Sequence, residues 1–186
     1  MSLSLTVDVL KKYNYNNWFV ETGTFTGGGV EIALQAGFNH IRSVEIYEPF
    51  YTSVKNRYKK DKRVELFLGD AELLLWEMIK DIDEPITFFL DSHVVTQTDN
   101  LKGIREIPLL QELDEIYRHS IKEHTILIDD RRMMGYREHP GGWISHEWEN
   151  ILENQVMNSL KKINPKYNFY YEDTVNGKQD IIVARL

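Results

Sequence analysis

A doubly wound α/β sheet is the fold class this sequence predicts, and three observations carry the prediction. Short β-prone apolar runs alternate with helical patterns from Trp18 to Lys162. The first run breaks into glycines, WFVETGTFTGGG from Trp18 to Gly29, directly before a helical stretch. Strand, glycine turn and helix N-terminus in that order form the place where open α/β sheets hold a nucleotide-like ligand. The chain then closes on two consecutive strand patterns split by Asn176-Gly177, the strongest short hairpin signal.

Leu5 to Tyr13 reads as a short amphipathic helix, with residues 1–17 as a lead-in. Trp18, Phe19 and Val20 make the first strand, and Val30 to Ala36 (VEIALQA) a helix beginning near Gly28. Gly37-Phe38-Asn39 ends that helix, and His40 to Ile46 is the second strand. Glu48 to Tyr58 is helical, Arg63 to Leu68 the third strand, and Ala71 to Lys80 a helix behind Asp70 as N-cap. Ile86 to Leu90 (ITFFL) and Thr125 to Ile128 (TILI) are continuously apolar, as buried parallel strands are. Between them lie a polar loop, Ser92 to Lys102, and a helix from about Pro108 to Ser120. A glycine-bearing loop, Arg131 to Gly142, precedes a helix from about Ser145 to Lys162. Tyr167 to Val175 and Lys178 to Leu186 are the closing strands.

At 186 residues the chain is expected to form one domain, residues 1–186. No apolar run approaches membrane-spanning length, and no basic, apolar leader opens the sequence. Zero cysteines exclude disulfides, thiolate metal sites and cysteine nucleophiles, and suit a cytoplasmic protein. A net charge of −7 argues against general nucleic-acid binding. The basic run Lys55 to Arg63 is accordingly read as a solvated helix end, and Trp143 and Trp148 as packing aromatics.

What the strands deliver at their carboxyl ends is acid: Glu21, Glu45, Asp70, Asp91 and the pair Asp129-Asp130. Acids gathered along one edge repel one another unless cations or hydrogen-bond donors compensate them, so the edge is read as a site. Read against GxGxxG from Gly23, the second glycine is Phe25, and a phenyl ring there opposes the pyrophosphate of NAD or FAD. S-adenosylmethionine has no phosphate and carries cationic groups that favour a nearby acid. Glu45 follows Glu21 by 24 positions, close to the roughly 20-residue interval at which an acid meets ribose hydroxyls. Arg131 and Arg132 offer a metal-free way to neutralise Asp129 and Asp130. Arg131 to Gly142, with Arg137 and His139, reads as either a lid or a surface loop; His139 and His146 are bases only in that histidine titrates near neutrality.

The terminal hairpin and the local motifs carry a resemblance. The order of elements resembles the Rossmann-like seven-stranded sheet of class I S-adenosylmethionine-dependent methyltransferases, from about Trp18 to Leu186. ETGTFTGGG and SVEIYEPFY resemble the glycine and ribose motifs of small O-methyltransferases of the catechol and caffeoyl-CoA type. The acidic pair after the fifth strand resembles the macrocin O-methyltransferase and cephalosporin-hydroxylase relatives. The resemblance implies methyl transfer to a small-molecule hydroxyl. It also implies that Glu21, Gly23, Thr24, Phe25, Gly27, Glu45, Ile46, Asp70, Ala71 and Asp91 hold S-adenosylmethionine. Asp70 would hold the adenine amino group. Asp91, Asp129 and Asp130 would hold magnesium or manganese, and His93 as a ligand would shift preference towards manganese or iron. Asp91, His93 and Asp130 are then the catalytic candidates. Val94 stands where the catechol type carries its lysine base, and Asp130 replaces an asparagine. A metal-dependent hydroxylase, or another enzyme or a non-catalytic domain on the same sheet, is the alternative.

Overall fold

The structure is a computed structural model, and it describes residues 4–93, 103–136 and 147–186. The elements in order are α1 (Val7–Tyr13), β1 (Trp18–Thr22), α2 (Gly28–Ala36), β2 (His40–Glu45), α3 (Glu48–Tyr58), β3 (Val64–Leu68) and α4 (Ala71–Ile79). They continue with β4 (Ile86–Leu90), α5 (Leu109–Arg118), β5 (Thr125–Ile128), α6 (Glu153–Ile163), β6 (Asn168–Glu172) and β7 (Ile181–Arg185). Short 3-10 turns sit at Arg131–Met133 and Trp148–Asn150.

The seven strands form one sheet in the order β3-β2-β1-β4-β5-β7-β6. β1 to β5 are parallel; β7 runs antiparallel between β5 and β6. Strand order reverses between β1 and β4, so both deliver their carboxyl ends to the crevice where such sheets hold ligands. Alternation along the strands feeds a core on each face. Val20, Phe88, Leu90, Ile126 and Ile128 pack with α4, α5 and α6, through residues such as Leu75, Leu113 and Leu160. Phe19, Ile41, Phe89, Leu127 and Val183 pack with α1 and α2 through Leu10, Val30 and Ala33. The doubly wound architecture expected from the sequence is thus present. Among the described residues no helix is long and apolar enough to cross a membrane.

Two local expectations need correction. The helix read from about Ser145 to Lys162 is broken: a 3-10 turn ends at Asn150, and α6 starts only at Glu153. The Leu152 N–H is capped by Gln155 Oε1 at 2.8 Å, which resets the helix there. Asn176-Gly177 is not a two-residue connection between β6 and β7 either. It lies in a longer loop, 173–180, where Thr174 Oγ1 accepts from the N–H groups of Asn176 and Gly177 at 3.0 and 3.2 Å. The same hydroxyl donates to Asp180 at 2.7 Å, so the loop folds on its own side chains.

Candidate functional site

The glycine turn is shaped by its contacts. Gly23 has φ +86°, and a Cβ there would lie 2.4 Å from the Asp91 carbonyl oxygen, so β1 and β4 approach where no side chain fits. Gly23 and Thr24 both donate to the Val44 carbonyl at 3.0 Å, which ties the turn to β2. Thr24 points inward, its hydroxyl 2.5 Å from Ser43 Oγ. Gly27, with φ +84°, leads into α2 and abuts Val54.

Glu21 is placed beneath this turn. It is buried, it accepts from Ser43 Oγ at 2.6 Å, and it occupies the space a side chain at Gly29 would need. Burial pushes its carboxyl up to about 8, against the opposing Ser43 hydrogen bond. Glu45 is oriented by backbone: Oε2 accepts from the Phe25 N–H at 2.6 Å and Oε1 from the Tyr47 N–H at 2.8 Å. Burial raises its pKa, opposed by these amides. Phe25, at φ +47°, packs edge-on against Phe50 beside it. Ile46 is solvent-facing and Ala71 is buried in the first turn of α4. Asp70 caps α4 through the Glu72 N–H at 3.0 Å, as expected of an N-cap. Its other oxygen accepts from the Ile104 N–H at 2.7 Å, so it also anchors the segment leading into α5.

The remaining acids form two linked groups. His93 lies 3.3 Å from both Asp91 Oδ1 and Asp130 Oδ2, and these three residues can offer donor atoms within 4.8 Å of one another. Asp129, Asp130 and Asp180 form the second such group. Asp129 therefore shares a group with Asp130 but not with Asp91. Burial opposes a charge on His93, but Asp91, Asp130 and Asp129 outweigh it and raise the imidazole to about 9. Burial, with Asp91 and Asp130 nearby, pushes Asp129 up to about 8. Arg132 is the neutralising arginine: it pairs with Asp130 at 2.5 Å and with Asp180. Arg131 turns away to Glu153 at 3.0 Å and stacks on Tyr171.

No known family profile matches the chain, and no curated protein matches it in sequence. Solved structures do match. All of the chain superposes on 84% of a candidate caffeoyl-CoA O-methyltransferase from Staphylococcus aureus, with a TM-score of 0.62 at 15% identity. An adenosylhomocysteine-bound methyltransferase from Podospora anserina aligns with 96% of the chain and 75% of its own length, at TM-score 0.60 and 15% identity. The fold is that of the class I methyltransferases. The cyclase SpnF also shares it, with a TM-score of 0.55 and 13% identity over 92% of this chain and 60% of that one. One fold is thus shared by methyltransferases and a cyclase, and the side chains must argue the chemistry.

Three residues at this edge were not singled out in the sequence. Ser4 reaches the site from the lead-in and donates to Asp129 Oδ2, while Asp129 Oδ1 is buried without a partner. Asp180 joins through Arg132. Glu112 of α5 is 1% exposed and accepts from Ser92 Oγ at 2.5 Å. A signal for Glu112 does exist: with Leu109, Leu113 and Ile116 it falls on the buried stripe of an amphipathic helix. Trp148 is buried and lines a small cavity with His93, Glu112 and Asp129. Val94, Arg137, His139, Trp143 and His146 lie outside the described residues.

Proposed function

We propose that this chain is an enzyme, folded as one unit over residues 1–186, that transfers a methyl group from S-adenosylmethionine to a hydroxyl of a small molecule, aided by a divalent cation. One observation carries the reading: on a methyltransferase fold, the carboxylates of Glu45, Asp91, Asp129 and Asp130 gather at the strand-end edge beside a glycine turn that carries Phe25 in place of the second glycine of a dinucleotide site. Glu45, fixed by two amides, keeps lone pairs for the ribose hydroxyls. The turn from Gly23 to Gly27 and the Asp91 backbone would cradle the amino-acid part, and Asp70 with Ala71 would border the base.

The residues present fit a cation. Asp129 keeps a buried oxygen without a partner, and Asp91, His93 and Asp130 supply an oxygen, nitrogen, oxygen donor set. The nitrogen favours manganese or iron over magnesium. A bound cation lowers the pKa of a hydroxyl and fixes its oxygen. Arg132 holds Asp130 in place, and His93 must lose its proton to become a ligand. Methyl transfer needs nucleophile, methyl and sulfur in line, so positioning is the protein's main contribution. The same donor set also suits a metal-dependent hydroxylase, and methyl-group turnover separates the two.

Calorimetry tests the cofactor. Adenosylhomocysteine is expected to bind at micromolar affinity or tighter, and NAD not at all. Glu45→Ala should weaken adenosylhomocysteine by roughly 1.5–3 kcal/mol, the scale of a charge-assisted hydrogen bond. Tight NAD binding, or an unaffected Glu45→Ala variant, ends the proposal.

A further inference from the structure

Glu112 is the buried acid at this edge that the cofactor and metal assignments leave unused. Its carboxyl lies under the ends of two central strands, held by the hydroxyls of Ser92 after β4 and Thr22 of β1. Asp91 and Asp130 face His93, and Asp130 also faces Arg132, whereas Glu112 makes no ion pair among the described residues. It borders a cavity of about 10 Å³ whose lining includes Asp91, Ser92, His93 and Asp129. That is space for about one water and no substrate group. Two hydroxyls orient the carboxylate without neutralising it, and burial pushes it up to about 7. Glu112 is thus a buried carboxyl with no cation paired to it directly among the described residues, and a cation brought nearby would favour its charged form.

Strand order says which part of a ligand would lie nearest to it. With the cofactor bound as proposed, the base would lie by Asp70 after β3 and the ribose by Glu45 at the end of β2. The next strand ends along the sheet are those of β1 and β4, where the charged, sulfur-bearing part of the cofactor would fall. Resting on the cofactor reading, we infer that Glu112 is a specificity-determining residue that makes the site favour the sulfonium of S-adenosylmethionine over the neutral sulfur of adenosylhomocysteine. The buried carboxylate attracts the cation through a medium that screens it weakly, and it has no comparable interaction with the thioether. The residue would thereby promote release of the product after methyl transfer.

The test compares affinities of the two ligands by calorimetry in wild type, Glu112→Gln and Glu112→Met. Gln keeps the shape and an acceptor for Ser92. Met fills a similar volume without a buried ionisable group, a kind of exchange that folds tend to tolerate. The ratio of the adenosylhomocysteine Kd to the S-adenosylmethionine Kd should fall about tenfold in either variant, with adenosylhomocysteine affinity itself changed by less than about twofold. A purely structural role would weaken both ligands alike and leave the ratio unchanged, and that result overturns the inference. If wild type binds neither ligand, the cofactor reading itself fails and takes this one with it.

Discussion

Replacing Gly29 by alanine tests whether Glu21 shapes the glycine turn or faces the cofactor. Gly29 is in the first turn of α2, so alanine suits its backbone and adds about 1 kcal/mol of helix propensity. The added Cβ would lie 1.7 Å from Glu21 Oε1 and 2.8 Å from its Cδ. Glu21 must therefore swing off Ser43, which strands a buried polar group at about 1–3 kcal/mol. Displacing the packed carboxyl costs about 1–3 kcal/mol more. Less the propensity gain, Gly29→Ala should destabilise the protein by about 3 kcal/mol. For a domain of this size that lowers Tm by about 6–12 °C. Scanning calorimetry or urea unfolding would read the change. In a double-variant cycle, Glu21→Ala should remove most of the penalty, because the clashing oxygen is gone. A Gly29→Ala protein as stable as wild type would refute the reasoning and free Glu21 for a direct cofactor contact.

Manganese near one hundred times its Kd should stabilise wild type by about 2.7 kcal/mol, a Tm rise of about 5–10 °C. Asp130→Asn should lose that rise, while Arg132 keeps Asp180; no rise in wild type together with a destabilised variant would leave only a structural ion pair. His124 is buried neutral, accepting from the Ile86 N–H at 3.1 Å, and burial lowers its pKa from 6.5 to about 3. Its contribution is therefore fully present above pH 6.5 and is lost as pH falls towards 3, about 2 kcal/mol of it by pH 5. His124→Asn keeps an acceptor and should lose less stability than wild type between pH 7 and pH 5, as followed by urea midpoints; equal losses would count against a buried neutral imidazole.

The sequence made the alternation of elements legible because it is written locally, in apolar runs and capping residues such as Asp70. The strand-end acids were legible for the same reason, since a short strand fixes which residue leaves the sheet. What escaped depends on distance along the chain. Nothing near Ser4 announces that it meets Asp129, 125 residues on. Asp180 was invisible as a partner because Arg132 links it to Asp130 across the β6–β7 loop. The Asn-Gly signal located the hairpin but made its loop too short, because Thr174 offers the backbone a different set of hydrogen bonds. Arg131 and Arg132 looked equivalent in sequence, yet Arg131 pairs with Glu153 and Arg132 with Asp130 and Asp180.

The insertion of β7 between β5 and β6 has a consequence for how the protein is made. Until residues 181–185 leave the ribosome, β5 has no neighbour on that side, and its apolar Ile126, Leu127 and Ile128 present an open backbone edge. β6 is already synthesised by then, yet its partner in the sheet is β7 alone. The nascent chain thus carries an open, sticky strand edge from the emergence of β5 to that of β7, a state that invites aggregation or chaperone capture. Heat-shock holdases should associate with ribosome-bound chains ending before residue 181 and let go once β7 docks.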